Sequence, residues 1–353
     1  MSADAVRNRS GRAPFPYSDG MTRPLACVVV NPAKRSATPQ VLERVEDALL
    51  AAGYHPRVLE TNLSEPGPTQ ARLAVASGAR LVVAAGGDGT VRAVAAGLAG
   101  TGVEMGVLPL GTANLAARNL GLPVTSLDAL LATAARGTPL PTDLAWVTSG
   151  APDPDALAAV RTPPDGWARP TLGAEHACII VAGIGFDAGL VASTRPRLKA
   201  RITWGAYAVA AMENLWSPRL GMTLELIGTD GTRTTETVTA RTLLVANGGR
   251  LPAGITLMRA AAMDDGVLDL AAIDTVGGLA GWTSLARQVL PPFAATYSDP
   301  ARALGRVRLR RGVEARVRLD TPAMVEVDGD LLPPTRDVRV RLQPGALLVR
   351  RPA

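Results

Sequence analysis

Two hydrophobic rhythms alternate along the first third of the chain. Unbroken apolar runs at 25–30, 81–85 and 106–110 have strand length and no polar side, and a shorter strand is expected at 56–59 around Arg57. Between them, 39–52, 70–76 and 91–98 repeat their apolar residues at helical spacing. Gly53 closes the first of these helices and Ser77-Gly78 the second. Apolar strands separated by helices on short connections predict a parallel, doubly wound sheet covered on both faces. A further helix is expected over 126–135, with Ser126 as its N-cap.

From Thr142 the rhythm changes to that of antiparallel strands. Residues 222–227 and 232–239 flank the turn Thr229-Asp230-Gly231 and predict a hairpin, and 241–246 and 267–273 read as further strands. Residues 148–171 carry Pro152, Pro154, Pro163, Pro164 and Pro170 and read as a long surface insertion. The expected organisation is therefore an α/β chain of three parts. A polar extension, 1–21, is disordered or lies upstream of a second start at Met21. A Rossmann-like nucleotide-binding domain spans 22–141, with 336–353 open to return to it. A mainly antiparallel β domain spans 142–335.

Ligands of a doubly wound sheet sit at the carboxyl ends of its strands. Four loops end there: Asn31-Pro32, Thr61, Gly86-Gly87-Asp88-Gly89-Thr90 and Gly111-Thr112-Ala113-Asn114. Glycines in such a turn permit positive φ or close approach to a ligand. The helix behind the turn points free N–H groups and its positive dipole end outward, which favours phosphate. Asp88 is the odd residue. A carboxylate repels phosphate unless a metal ion or a transferable proton lies between them, which points to phosphoryl transfer.

Composition narrows the classes. The 353 residues are 47% hydrophobic but only 3% aromatic, so the cores are built from Val, Leu, Ala and Ile. With two cysteines, Cys27 and Cys178, both in apolar runs, and two histidines, a Cys/His zinc site is excluded and reduced, buried thiols are expected. No apolar run reaches transmembrane length and the first twenty residues lack a signal-peptide core. A cytoplasmic protein is expected, meeting the inner face of the membrane only peripherally. The net charge of +6 suits any anionic partner. Arginines alternate along 306–311, 316–318 and 339–341. They read either as the solvated face of half-buried strands or as a surface for anionic lipid headgroups. No nucleic-acid motif is present, and nucleic acid is not expected as a partner.

The string GGDGT at 86–90, preceded by Asn31-Pro32 and followed by Pro109-Leu110-Gly111-Thr112-Ala113-Asn114, resembles the nucleotide-contacting segments of the diacylglycerol kinase, sphingosine kinase and NAD kinase superfamily. The resemblance is to bacterial diacylglycerol kinases in particular, because Gly183-Ile184-Gly185-Phe186-Asp187, Asp264-Asp265-Gly266 and Asp328-Gly329-Asp330 follow in that family's order. It implies ATP and Mg²⁺ as cofactors and an active site in the interdomain cleft. ATP would contact Asn31, Pro32, Thr61, Gly86, Gly87, Asp88, Gly89, Thr90, Gly111, Thr112 and Asn114. Asp330 would accept the proton of a lipid hydroxyl, with Asp88 as the other catalytic acid. Asp88 and Asp328 would hold the catalytic metal, directly or through water, and a second Mg²⁺ would sit on Asp265 and the carbonyls of Ala262 and Val267. Asp187 and Lys199 would line the substrate cleft.

On their residues alone, Asp264-Asp265-Gly266 is equally an ordinary Asp-Gly turn, and Gly183–Asp187 a tight bend with a solvated aspartate. The chain departs from the family at Ala93 and Leu115, where carboxylates are usual, and at Asp330, where Glu is usual. The implied activity is ATP-dependent phosphorylation of a lipid hydroxyl at the membrane surface, with diacylglycerol the first acceptor. Phosphatidylglycerol, a sphingoid base and a ceramide-like alcohol are the alternatives within that class. NAD kinase and a non-catalytic nucleotide- or lipid-binding regulator are the rivals outside it. A homodimer is open.

Overall fold

The structure, a computed structural model, describes residues 23–62, 65, 67–160, 166–185, 218–250, 258, 260–275 and 305–352. The chain divides into two compact units, one formed by Met1–Thr142 with Ala346–Ala353, the other by Asp143–Gly345. The return to the first unit therefore falls at Ala346 rather than at 336.

In the first unit, β1 (Leu25–Val30) lies between β2 (His55–Glu60) and β3 (Leu81–Gly86), and β4 (Glu104–Pro109) follows on the far side of β3, all parallel. β1 and β3 are apolar throughout because helices cover both faces. Those helices are α1 (Pro39–Ala51), α2 (Pro68–Ala76), α3 (Asp88–Leu98), α4 (Leu115–Asn119) and α5 (Leu127–Arg136). Thr38 caps α1 through its hydroxyl, and Ser126 caps α5. α3 begins at Asp88, inside the glycine turn rather than after it, and α4 has no periodic signature because it is too short to show one.

Two long strands carry the chain between the units, β5 (Thr138–Ser149) and β14 (Asp330–Arg351). The end of β14 completes the first unit's sheet, with Leu348 and Val349 pairing in parallel with Glu104 and Met105. Arg350 fastens it. Buried to 6% exposure, it donates to Glu104 (2.7 Å), the Tyr54 hydroxyl (2.6 Å) and the carbonyls of Ala134 and Ala135. Its guanidinium also lies 5.4 Å from the Tyr54 ring centre.

The second unit is antiparallel. After α6 (Pro154–Ala158) come β6 (His176–Cys178), β7 (Val181–Gly185), the hairpin β8 (Leu220–Ile227) and β9 (Arg233–Ala240), then β10 (Thr242–Ala246), β11 (Leu268–Thr275), β12 (Gly305–Gly312) and β13 (Glu314–Val327). They pair in the order β12-β11-β10-β7-β13, and β8 also pairs with β13. Along β8 the alternation is strict: Leu220, Met222, Leu224 and Leu226 face the core with Val317, Val245 and Leu270. α6 shows that 148–171 is in part ordered, with Asp153 as its N-cap. No helix among the described residues is long and apolar enough to cross a membrane.

The arginines of 316–318 and 339–341 form ion pairs, three of them between neighbouring strands and one with Glu175 just before β6. Arg318 meets Glu225 (3.0 Å), Arg316 meets Asp337 (2.6 Å), Arg339 meets Glu314 (2.8 Å) and Arg341 meets Glu175 (2.5 Å). The three cross-strand pairs join neighbours on the outer face of the sheet, where such pairs contribute about 0–1 kcal/mol.

Candidate active site

In the first unit the four strand-end loops are tied to one another through the backbone. The Asn31 N–H donates to the Ala85 carbonyl (3.3 Å), and Asn31 Oδ1 accepts from the Ala33 N–H (3.0 Å), an Asx turn. Thr61, buried, donates its N–H to Val30 (2.8 Å). The Leu110 N–H donates to Gly86 (2.7 Å), and the Ser36 hydroxyl donates to the Leu110 carbonyl (2.5 Å), so the first and fourth loops are joined.

The glycines here serve close approach, not positive φ. Gly87 has an ordinary φ of −84°. A Cβ on Gly86 would stand 2.4 Å from Thr90 Oγ1, and one on Gly111 would stand 2.8 Å from the Gly87 Cα. The GGDGT and GTAN turns thus touch backbone to backbone, and no other residue type fits.

The expected nucleotide residues fall into two groups. Thr90 is buried against Gly86, and Asn114 has both ends of its amide engaged by Gly111, accepting its N–H (2.9 Å) and donating to its carbonyl (3.0 Å). These two shape the loops. Gly89 and Thr112 are exposed and face open space or solvent. Gly87 is the N-cap of α3 and brings no side chain to its first N–H groups, which remain available to an anion. Asp88 accepts the Ala116 N–H on one oxygen (3.0 Å), and its other oxygen accepts no hydrogen bond among the described residues. Ala93 is buried, and its Cβ lies 3.0 Å from where a Cβ of Gly67 would stand. A carboxylate there would have no room, which accounts for one of the departures from the family pattern.

The second unit holds its candidate carboxylates differently. Asp328 and Gly329 form a two-residue hairpin turn between Val327 and Asp330, with φ of 48° and 89°, as a type I′ turn demands. The Asp328 carboxylate accepts three backbone N–H groups, from Ile179 (2.7 Å), Ile180 (2.9 Å) and Val181 (3.1 Å). Its own N–H returns a bond to Val181 (3.0 Å). Both Asp328 oxygens thus accept from the β6–β7 turn, which supports the turn that carries Asp330. Asp330, the first residue of β14, is exposed. Asp187 and Lys199 lie outside the described residues.

The expected Mg²⁺ turn is likewise occupied from within. Asp265 accepts the Val267 N–H on one oxygen (3.1 Å) and the Arg311 guanidinium on the other (2.6 Å). Arg311 also donates to Asp269 (3.1 Å), its direct cross-strand neighbour. Burial holds the Asp269 carboxyl above the usual carboxylate range, against the pull of Arg311. A cation on Asp265 would have to displace Arg311. Among the described residues no three His, Cys, Asp or Glu side chains gather at metal-binding range.

Sequence reasoning missed Asp143. Buried to 3% exposure, it accepts the N–H groups of Gly266 (2.8 Å) and Gly345 (2.7 Å) and donates its own to Met263 (2.7 Å), clamping the acidic turn. Nothing in the strand pattern around it announces that role.

The comparisons with known proteins bear on the family and the fold. Residues 25–147 match the model of the diacylglycerol kinase catalytic domain, and residues 178–351 match that of the YegS C-terminal NAD kinase beta sandwich-like domain. The "Probable lipid kinase YegS-like" of Chromohalobacter salexigens is 32% identical over 67% of this chain and 67% of its own length. The protein of the same name in Xanthomonas oryzae pv. oryzae is 33% identical over 58% of this chain, a match that spans 60% of the relative. A crystal structure of a diacylglycerol kinase from Bacillus anthracis str. Sterne shares the fold, with a TM-score of 0.60 at 16% identity over 94% of this chain and 98% of that one. Another structure from the same organism reaches 0.69 at 19% identity. The chain belongs to the YegS-like lipid kinase family, with a diacylglycerol kinase catalytic domain and a beta sandwich-like domain behind it.

Proposed function

We propose that this chain is an ATP-dependent lipid kinase that transfers the γ-phosphate of ATP to a lipid hydroxyl met at a membrane surface, with diacylglycerol the first acceptor to test. One observation carries the reading. The glycine turn brings an uncapped helix N-terminus, a carboxylate oxygen with no donor among the described residues and an exposed threonine hydroxyl into one cluster of strand-end loops.

The mechanism follows from what each group can do. The α3 N–H groups and the Thr112 hydroxyl bind and orient phosphate oxygens. The close contact of Gly87 with Gly111 fixes those donors before the nucleotide arrives, so little reorganisation is needed. Asp88, with one oxygen that accepts no hydrogen bond among the described residues, would hold a divalent cation, which would supply charge neutralisation for the phosphates. Asp330 takes the proton of the acceptor hydroxyl as general base. Asp328 contributes by holding the turn from which Asp330 projects. Arg306 and Arg308, which make no ion pair among the described residues, supply attraction to an anionic lipid surface.

The test is transfer of labelled phosphate from ATP to a panel of membrane lipids in mixed micelles, beside Asp330→Ala and Asp88→Ala. Label in one lipid with the wild type, lost with both variants, identifies class and acceptor together. Label in phosphatidylglycerol or a ceramide-like alcohol moves the acceptor within the class. Label in NAD instead refutes the lipid reading, and ATP binding without transfer to any acceptor favours a regulator.

A further inference from the structure

We infer that Lys34 is the side-chain cation of the phosphate subsite and sets the affinity for the polyphosphate chain, an inference that rests on the nucleotide reading above. The loop after β1 is rigid at this residue. The Lys34 N–H donates to the Asn31 carbonyl (3.1 Å), and its own carbonyl accepts from Ala37 (2.9 Å). From that fixed backbone the side chain crosses to the glycine turn. Its Cε and Nζ lie 3.6 Å and 3.7 Å from the position a Cβ of Gly87 would take. At these distances the lysine lies in van der Waals reach of the turn.

Lys34 is exposed, and its charge sits on the side of the turn where the helix dipole is positive. A helix N-terminus carries about half a positive charge, and acidic residues stabilise it while basic ones do not. Lys34 nevertheless brings a full positive charge to the residue that caps α3. It forms no ion pair or side-chain hydrogen bond among the described residues, and Asp88, in the same turn, is not within salt-bridge distance of it. The arginines of β13 and β14 show the contrast: Arg316, Arg318, Arg339 and Arg341 each have a carboxylate partner. A lysine that opposes the helix dipole and has no counter-ion of its own is suited to an anion that lies between them. Charge-assisted bonds from an ammonium to phosphate oxygens supply what the turn lacks, since Asp88 alone would repel the nucleotide.

The experiment is calorimetric titration of ATP, ADP and adenosine into wild type, Lys34→Met and Lys34→Arg, in EDTA and in Mg²⁺, after thermal melts confirm that all three fold alike. For Lys34→Met, ATP affinity falls about tenfold to a hundredfold and ADP affinity by less, while adenosine is unchanged and Lys34→Arg recovers most of the loss. The salt dependence of ATP binding also weakens in the Met variant, as removal of one phosphate-facing charge requires. Equal ATP affinity in wild type and Lys34→Met overturns the inference and leaves the nucleotide reading standing. An equal loss for adenosine and ATP overturns it too, because the lysine then only shapes the loop. A wild type that binds none of the three overturns the nucleotide reading and the inference with it.

Discussion

Asp88 and Asp328 have the same local grammar, an aspartate in a glycine turn at the end of a strand, and the two units use them in opposite ways. Asp88 accepts one N–H and keeps an oxygen open. Asp328 accepts three N–H groups and is part of the scaffold. The first unit builds its site by bringing glycine backbones into contact, leaving its carboxylate to chemistry. The second builds a rigid support from a carboxylate, leaving exposed Asp330 to act. A shared motif therefore does not assign a shared role; the donors around each carboxylate do.

The sharpest break of that comparison is functional. Asp330→Ala should reduce phosphoryl transfer by roughly 10²–10⁴, the range of a lost general base, with a melting curve close to wild type. Asp88→Ala should cut transfer by about as much while costing about 1 kcal/mol of stability for the donor it leaves on Ala116. Asp328→Ala should show the reverse weighting. Three N–H groups lose a charged acceptor, so urea denaturation should show the second unit destabilised by about 2–4 kcal/mol. If Asp88→Ala melts as early as Asp328→Ala, the contrast between the two aspartates collapses.

Gly111→Ala tests the other half of the comparison. Its Cβ would have to move the Gly87 backbone, so a loss of about 1–3 kcal/mol and weaker ATP binding are expected together, read by melting and titration. A stable variant with unchanged ATP affinity would refute the role given to the backbone contact. The smallest effect is at Cys27 in β1. Burial pushes its thiol up to about 11, with Arg57 pulling the other way. At pH 8 the native thiol carries almost no thiolate, and an alkylating reagent should label Cys27 only as fast as the first unit unfolds.

Much of the first unit was legible in the sequence because its signals are local. The apolar runs of β1 and β3 have no polar face, and GGDGT sits at a strand–helix junction with its carboxylate between glycines. The start of α3 at Asp88 was not legible, since glycines do not signal a helix. In the second unit the hairpin at Thr229-Asp230-Gly231 was plain, but the clamp on Asp328 was not. Its donors are backbone N–H groups 147 to 149 residues away, and backbone has no sequence signature. The pairing of Arg311 with Asp265 was hidden for a related reason: it depends on the β11–β12 register, which places Asp269 opposite Arg311. The arginine stripes showed the right period but not their partners, most of which lie on neighbouring strands.

The strand that Arg350 fastens has a consequence for how the protein is made. Glu104 and Arg350 are 246 residues apart, so β4 emerges from the ribosome long before the strand that covers its edge. Throughout that interval the nascent first unit exposes an open β edge and an unpaired Glu104, and it depends on chaperones or speed to avoid wrong partners. Chains arrested after Gly345 should be cleaved by protease within β4 and α5, and chains extended through Arg351 should resist.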